Sequence, residues 1–218
     1  MMTYGGVTHL MHSTEKNKIA LAHAGSRAEI AILENEELHS LLFTNVVWTK
    51  EEEHLKKEGL FVKTLELAPP QEFVFGLCRK WSFMQHLNKF GFPKFIAYDD
   101  AKKYATGGAY ISLIADSASR ENFVNAGRLM ERIWLIANLH DYAVHPITAT
   151  LFFGLKIRAE KVSGLTSESW ELMRSAYALI RKTLELPENK EVLFMFRIGE
   201  APRVRFRSSK KAPVVYVD

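Results

Sequence analysis

The stretch from Glu121 to His140, ENFVNAGRLMERIWLIANLH, constrains the fold more than any other part of the chain. Phe123, Ala126, Met130, Ile133, Trp134 and Ala137 recur at helical spacing, and Leu129, Leu135, Ile136 and Leu139 fill much of the remaining circumference. A helix apolar on several sides needs cover on several sides, so the stretch predicts a central core helix. Ala126 and Gly127 would let another backbone come close. Glycine inside a helix costs roughly 1 kcal/mol relative to alanine, which predicts a packing reason for Gly127.

The 218 residues suffice for one domain with a full core around that helix, and 47 % hydrophobic content is ordinary for a globular chain. The expected organisation is a poorly ordered N-terminus over 1–17, which lacks periodicity, and a single domain over 18–218. Lys18 to His23 reads as a short strand. Ser26 and Glu29 have capping-box spacing ahead of a helix running to about Phe43, and Thr49 and Glu52 have it ahead of a short exposed helix that Gly59 would end. Leu60 to Leu67 reads as extended, and Pro69-Pro70 as a break. Phe73, Leu77, Trp81, Met84 and Leu87 then predict a third helix from Gln71 to about Phe90, stopped by Gly91 and Pro93. GAYISLIA at 108–115 reads as a buried strand and LFFG at 151–154 as a short one. Trp170, Met173, Tyr177, Ile180 and Leu184 mark the inner face of a helix over Ser167 to Leu186. EVLFMFRI at 191–198 is apolar at nearly every position and predicts a strand interior to a sheet; Val214 to Val217 would add one at an edge or towards a partner. Strands alternating with helices indicate an α+β or α/β sandwich.

Several chemistries lack their residues. No run approaches a membrane span and the first residues lack a signal core, so a cytoplasmic protein is expected, with no membrane partner. The single cysteine, Cys78, reads as buried filler. His9 and His12, and His140 and His145, are not joined by the carboxylates or cysteines a metal site requires, and His140 reads as a residue at a helix C-terminus. Gly107-Gly108 lacks dinucleotide-fingerprint spacing, and there is no P-loop, G-x-S-x-G or H-E-x-x-H. The net charge of +4 is unevenly placed: Arg197, Arg203, Arg205, Arg207, Lys210 and Lys211 crowd the C-terminal end. Such an end suits a cofactor phosphate, a nucleic-acid backbone or plain solvent; no nucleic-acid reading module precedes it.

The pieces AGRLMERIWLIANLHDYAVHPIT, LFMFRIGEAP and RSSKKAPVVYV, in that order, resemble the C-terminal half of flavin-dependent nitroreductase-like proteins. The likeness is to the divergent bacterial branch often joined to an adenylating, ThiF-type domain, and VVWTKEEEHLKKEGLFVKTLEL and LCRKWSFMQHLNKFG resemble that branch too. The resemblance implies a nitroreductase-like α+β sandwich: a mixed, mainly antiparallel sheet flanked by helices, with the central helix at the interface of a homodimer. It implies FMN as cofactor, NAD(P)H as electron donor and oxidoreductase activity. Lys210 and Lys211 match the basic pair at the flavin phosphate, with Arg207, Arg203 and Arg205 nearby, and His145, Pro146, Ile147 and Thr148 match the turn beside the flavin ring. The family's N-terminal basic helix and its Asn-x-Gln-Pro-Trp segment have no counterpart here. A flavin-free dimer of the same fold, acting as an interaction or ligand-binding module, therefore stands as the alternative.

Overall fold

The computed structural model describes residues 3–158 and 165–212. The strand expected at 214–217 lies outside the described residues. The chain falls into two compact units, one of residues 1–31 and 91–201, the other of 32–90 and 202–218.

The first unit is α+β and built on an antiparallel sheet. Its strands are β1 (Thr3–Tyr4), β2 (Val7–His12), β5 (Ala109–Ala115), β6 (Ala143–Pro146) and β7 (Glu191–Gly199), in the order β1-β2-β5-β7-β6. The two strands expected from apolar content are both interior: every residue of β5 is buried, and β7 lies between β5 and β6. Residues 3–12, expected to be poorly ordered, form a hairpin instead. Gly5 and Gly6 take φ of +52° and +79°, the positive pair a tight hairpin turn demands, and β2 then pairs along β5. Its lack of periodicity hid it, because β2 is fixed by a neighbouring strand more than by its own apolar residues.

One face of the sheet carries helix α1 (Glu15–Glu34), helix α8 (Ala149–Arg158) and helix α9 (Ser167–Thr183). Leu21, Ala22, Ala24, Leu151, Tyr177 and Ile180 pack there against Tyr110, Val192 and Met195. Lys18 to His23 is thus helical, not extended. Ser26 is no cap: it is buried mid-helix, and its hydroxyl donates to the His23 carbonyl at 3.3 Å. LFFG at 151–154 is also helical, the short apolar run being ambiguous between strand and buried helix. The packing of these helices is close. A Cβ on Gly154 would sit 2.3 Å from the Tyr177 ring, and one on Gly25 2.5 Å from Ile147.

The opposite face carries helix α7 (Arg120–Leu139), which Ser119 caps and which, as expected, ends at His140. Ala126 and Leu129 pack on Ile111, Leu113, Leu193 and Phe196. The expectation of burial all round is corrected, however. Leu135 is 62 % and Leu139 80 % exposed, with Ile136 and Tyr142 open beside them. Nothing lies within 4 Å of a Cβ added at Gly127, so within the described residues its packing reason is missing. Helix α6 (Phe92–Ala105) completes the unit. Gly91, expected as a stop, is its N-cap at φ +73°, with Pro93 in the first turn.

In the second unit, β3 (Val46–Val47) and β4 (Leu60–Phe61) pair in parallel over a core of Val46, Val47, Phe61 and Val62. Helix α3 (Lys50–Lys56) connects them, its cap formed as predicted by Thr49 Oγ1 accepting from the Glu52 amide at 3.1 Å. Residues Val62–Leu65 turn in a 3₁₀ helix where extended chain was expected. The helix expected from Ser26 to Phe43 is two: Asn35 closes α1 and caps α2 (Glu36–Thr44), accepting from the Leu38 amide. The helix expected over 71–90 is likewise two, α4 (Pro69–Cys78) and α5 (Trp81–Lys89). The break frees the Cys78 carbonyl, and buried His39 donates to it through Nε2 at 2.8 Å. Cys78 is a buried free thiol whose pKa burial pushes up, which suits the filler reading.

Candidate functional site

Four polar side chains share one rung of the sheet. The register places His12 opposite Tyr110, Tyr110 opposite Arg197, and Arg197 opposite His145. Opposed residues of neighbouring strands project to one face, so the rung lies on the side of α1, α8 and α9. Tyr110 is fully buried and donates to the Tyr104 carbonyl at 3.2 Å. Arg197 Nε donates to His145 Nδ1 at 3.2 Å, a second guanidinium nitrogen donates to the Lys103 carbonyl, and the guanidinium stands 5.1 Å from the Tyr104 ring centre. A guanidinium only donates, so His145 Nδ1 is the acceptor and Nε2 carries the hydrogen. Desolvation and then the Arg197 charge lower the His145 pKa to about 4, keeping the ring neutral.

Helix α6 adds the rest of the cluster. Tyr104 Oη donates to Glu29 Oε1 of α1 at 2.7 Å, and Lys103 bridges Asp99 at 2.6 Å and Asp100 at 3.1 Å. Glu29 is raised to about 8, chiefly by burial, with Asp100 adding to the rise. The site therefore holds a neutral imidazole, a permanent cation and a carboxyl that keeps its proton near neutral pH.

The residues expected from sequence fall into two sets. His145 and Pro146 lie in β6, and Ile147 is buried, its amide donating to the Met195 carbonyl at 2.9 Å. Thr148 is half-buried, and its carbonyl accepts from the Phe152 amide in the first turn of α8. Arg203, Arg205, Arg207, Lys210 and Lys211 belong to the second unit. There the tail is tied to carboxylates: the Arg205 amide donates to Glu66 at 2.6 Å, Ser209 donates through its amide and hydroxyl to buried Glu53, and Lys211 pairs with Glu58. Arg203, Arg207 and Lys210 have no ion pair among the described residues. Sequence reasoning missed Glu29, Asp100, Tyr104 and Tyr110. One available signal was Arg197, a lone charge inside the apolar run FMFRI. Among the described residues no group of His, Cys, Asp and Glu could hold a metal, and no helix is long and apolar enough to cross a membrane.

No protein-family model and no curated protein matches the chain. Among solved structures it is similar to an FMN-dependent nitroreductase from Clostridium difficile R20291, at 15 % identity and a TM-score of 0.33, over 53 % of this chain and 59 % of that one. The chain thus spans less than two thirds of that protein's length, and an overlap so partial says nothing of chemistry.

Proposed function

We propose that the chain is an FMN-dependent NAD(P)H oxidoreductase of nitroreductase type, acting as a homodimer. The observation that carries this reading is the Arg197–His145 pair at the turn where the sequence resemblance puts the flavin ring. Arg197 and the His145 Nε2–H offer hydrogen bonds beside a polar ring edge. By the resemblance alone the phosphate goes to the basic tail, where Arg203, Arg207 and Lys210 have no ion pair among the described residues. Lys211 already has Glu58, and lysine lacks the bidentate fork of arginine, so the hold on phosphate is looser than an arginine pair would give. Bound FMN would supply the hydride chemistry between NAD(P)H and a second substrate. Arg197 keeps His145 in one tautomer and one orientation, so that a fixed N–H faces the ligand. The exposed Leu135, Ile136, Leu139 and Tyr142 of the α7 end favour a second copy as their cover. A cytoplasmic location and an association with a ThiF-type domain belong to the same reading and rest on the resemblance.

The second reading is the flavin-free dimeric module. What favours it is the attachment of the tail to Glu53, Glu58 and Glu66, since carboxylates beside the cations compete with a phosphate. The deciding measurement is the visible spectrum of the purified protein after excess FMN and desalting. Retained flavin absorbance, bleached by NAD(P)H, is the outcome the first reading expects. A protein that stays colourless overturns it and leaves the module.

A further inference from the structure

The Glu29 carboxyl of α1 has one oxygen in use and one that, as a carboxylate, could not be satisfied. Oε1 accepts from Tyr104 Oη at 2.7 Å. Oε2 is sealed from solvent and receives no hydrogen bond from any donor among the described residues. The next neighbour is itself an acid: Asp100 of α6, one helical turn before Tyr104, whose charge and side-chain hydrogen bond raise the Glu29 pKa. Two carboxyl groups can bond only when one of them carries a proton. Asp100 has Lys103 at 3.1 Å as an ion-pair partner and Glu29 has no ion pair among the described residues, so the proton resides on Glu29. Glu29 then donates to Asp100 while accepting from Tyr104, and the unpaired oxygen is accounted for.

We propose that Glu29 and Asp100 share a single proton at neutral pH, and that this proton fastens α1 to α6 and holds Tyr104 against Arg197. The shift of Glu29 to about 8 agrees, with burial its first cause and the charge and hydrogen bond of Asp100 adding to it. Among the described residues the titratable and charged groups facing Glu29 are Asp100, Lys103 and Tyr104, all of α6; behind Tyr104 stand Arg197 of β7 and His145 of β6. None of these can replace the proton: the lysine is engaged by two aspartates, the arginine is permanently charged and the histidine is held neutral. Above about pH 8 the pair becomes two adjacent carboxylates and α6 loosens. Arg197 is braced by the Lys103 carbonyl and the Tyr104 ring, both from α6, so the tautomer of His145 comes under control of this proton. The functional consequence rests on the reading that His145 serves the site; the proton sharing itself does not.

The test is NMR of the flavin-free full chain, with labelled carboxyl carbons and imidazole nitrogens followed through a pH titration. Glu29 should titrate near 8, and the His145 pattern should change with the same midpoint. Asp100→Asn supplies an N–H donor to Glu29, so the carboxyl should fall back towards the ordinary range, at least a tenfold change in its proton affinity. Glu29→Gln offers an amide oxygen to Tyr104 and an amide N–H to Asp100, so the His145 pattern should then persist through the wild-type midpoint. Glu29 titrating as an ordinary carboxylate, or a midpoint unmoved by Asp100→Asn, overturns the proposal. If Asp100→Asn does not fold, Glu29→Gln decides: a His145 transition unchanged from wild type also overturns it. Because nothing here reads flavin or turnover, failure of this proposal is distinct from failure of the enzyme reading.

Discussion

The two faces of the first unit's sheet are covered unequally. Under α1, α8 and α9, glycines stand where a single added carbon would strike Ile147 or Tyr177, and Thr150 donates to the Ala24 and Gly25 carbonyls at 3.1 and 3.0 Å. Under α7 one stripe is buried and much of the remaining apolar surface is exposed, with none of the described residues over Gly127. Both helix sets come from comparably apolar sequence. The difference teaches that hydrophobicity says how much cover a helix needs, while the chain alone need not supply it.

The sharpest way to break the comparison is to truncate one leucine on each side. Leu151→Ala on the close face should cost roughly 2–5 kcal/mol in denaturant unfolding, because the neighbouring helices cannot collapse onto the gap. Leu135→Ala should change the stability of the single chain by no more than about 0.5 kcal/mol and should weaken self-association in sedimentation. Equal costs at both positions in a monomeric protein would erase the distinction. Gly154→Ala should cost about 1–3 kcal/mol through overpacking against Tyr177, seen as a lower melting temperature.

The close face also has a pH signature. The folded-state pKa of Glu29 lies above its unfolded value, 4.5 rising to about 8, so the folded protein holds a proton that the unfolded chain has lost between those values. Stability from this group is unimpaired below about 4.5, declines as pH rises, and reaches its full loss above about 8. The loss should be on the order of 1–2 kcal/mol once solvent access to a half-buried group is allowed for. Glu29→Gln should flatten that slope in melts taken at successive pH values, and a slope retained by the variant would assign it to another group. The smallest effect belongs to the open face. Gly127→Ala should stabilise an isolated chain by about 0.5–1 kcal/mol through helix propensity alone. A second copy packed on Gly127 would reverse the sign in the dimer, so the concentration dependence of this variant reports on the missing cover.

The elements legible in the sequence are those whose own residues decide them. β5 and β7 are apolar at nearly every position, α9 carries a spaced inner face, and Thr49 with Glu52 states a cap that forms. The elements misread are those settled by neighbours. β2 is a strand because β5 runs beside it, and α8 is a helix because its apolar run is buried between elements that want a helix there. The break between α4 and α5 is stabilised by His39, thirty-nine residues away from the carbonyl it satisfies. The candidate site divides in the same manner: His145 was found through the HPIT turn and Arg197 through the basic count, whereas Glu29 and Asp100 look like surface acids until folding removes their water.

By itself the sequence determined where strong helices and interior strands form, since periodicity and capping act over a few residues. It also determined which chemistries lack their motifs. Only the tertiary structure decided which apolar helix face is covered, which basic side chains have no ion pair among the described residues, and that one glutamate of α1 is buried beside Tyr104 of α6. Those outcomes depend on desolvation and on contacts between residues far apart in the chain, and neither quantity exists until the chain has folded.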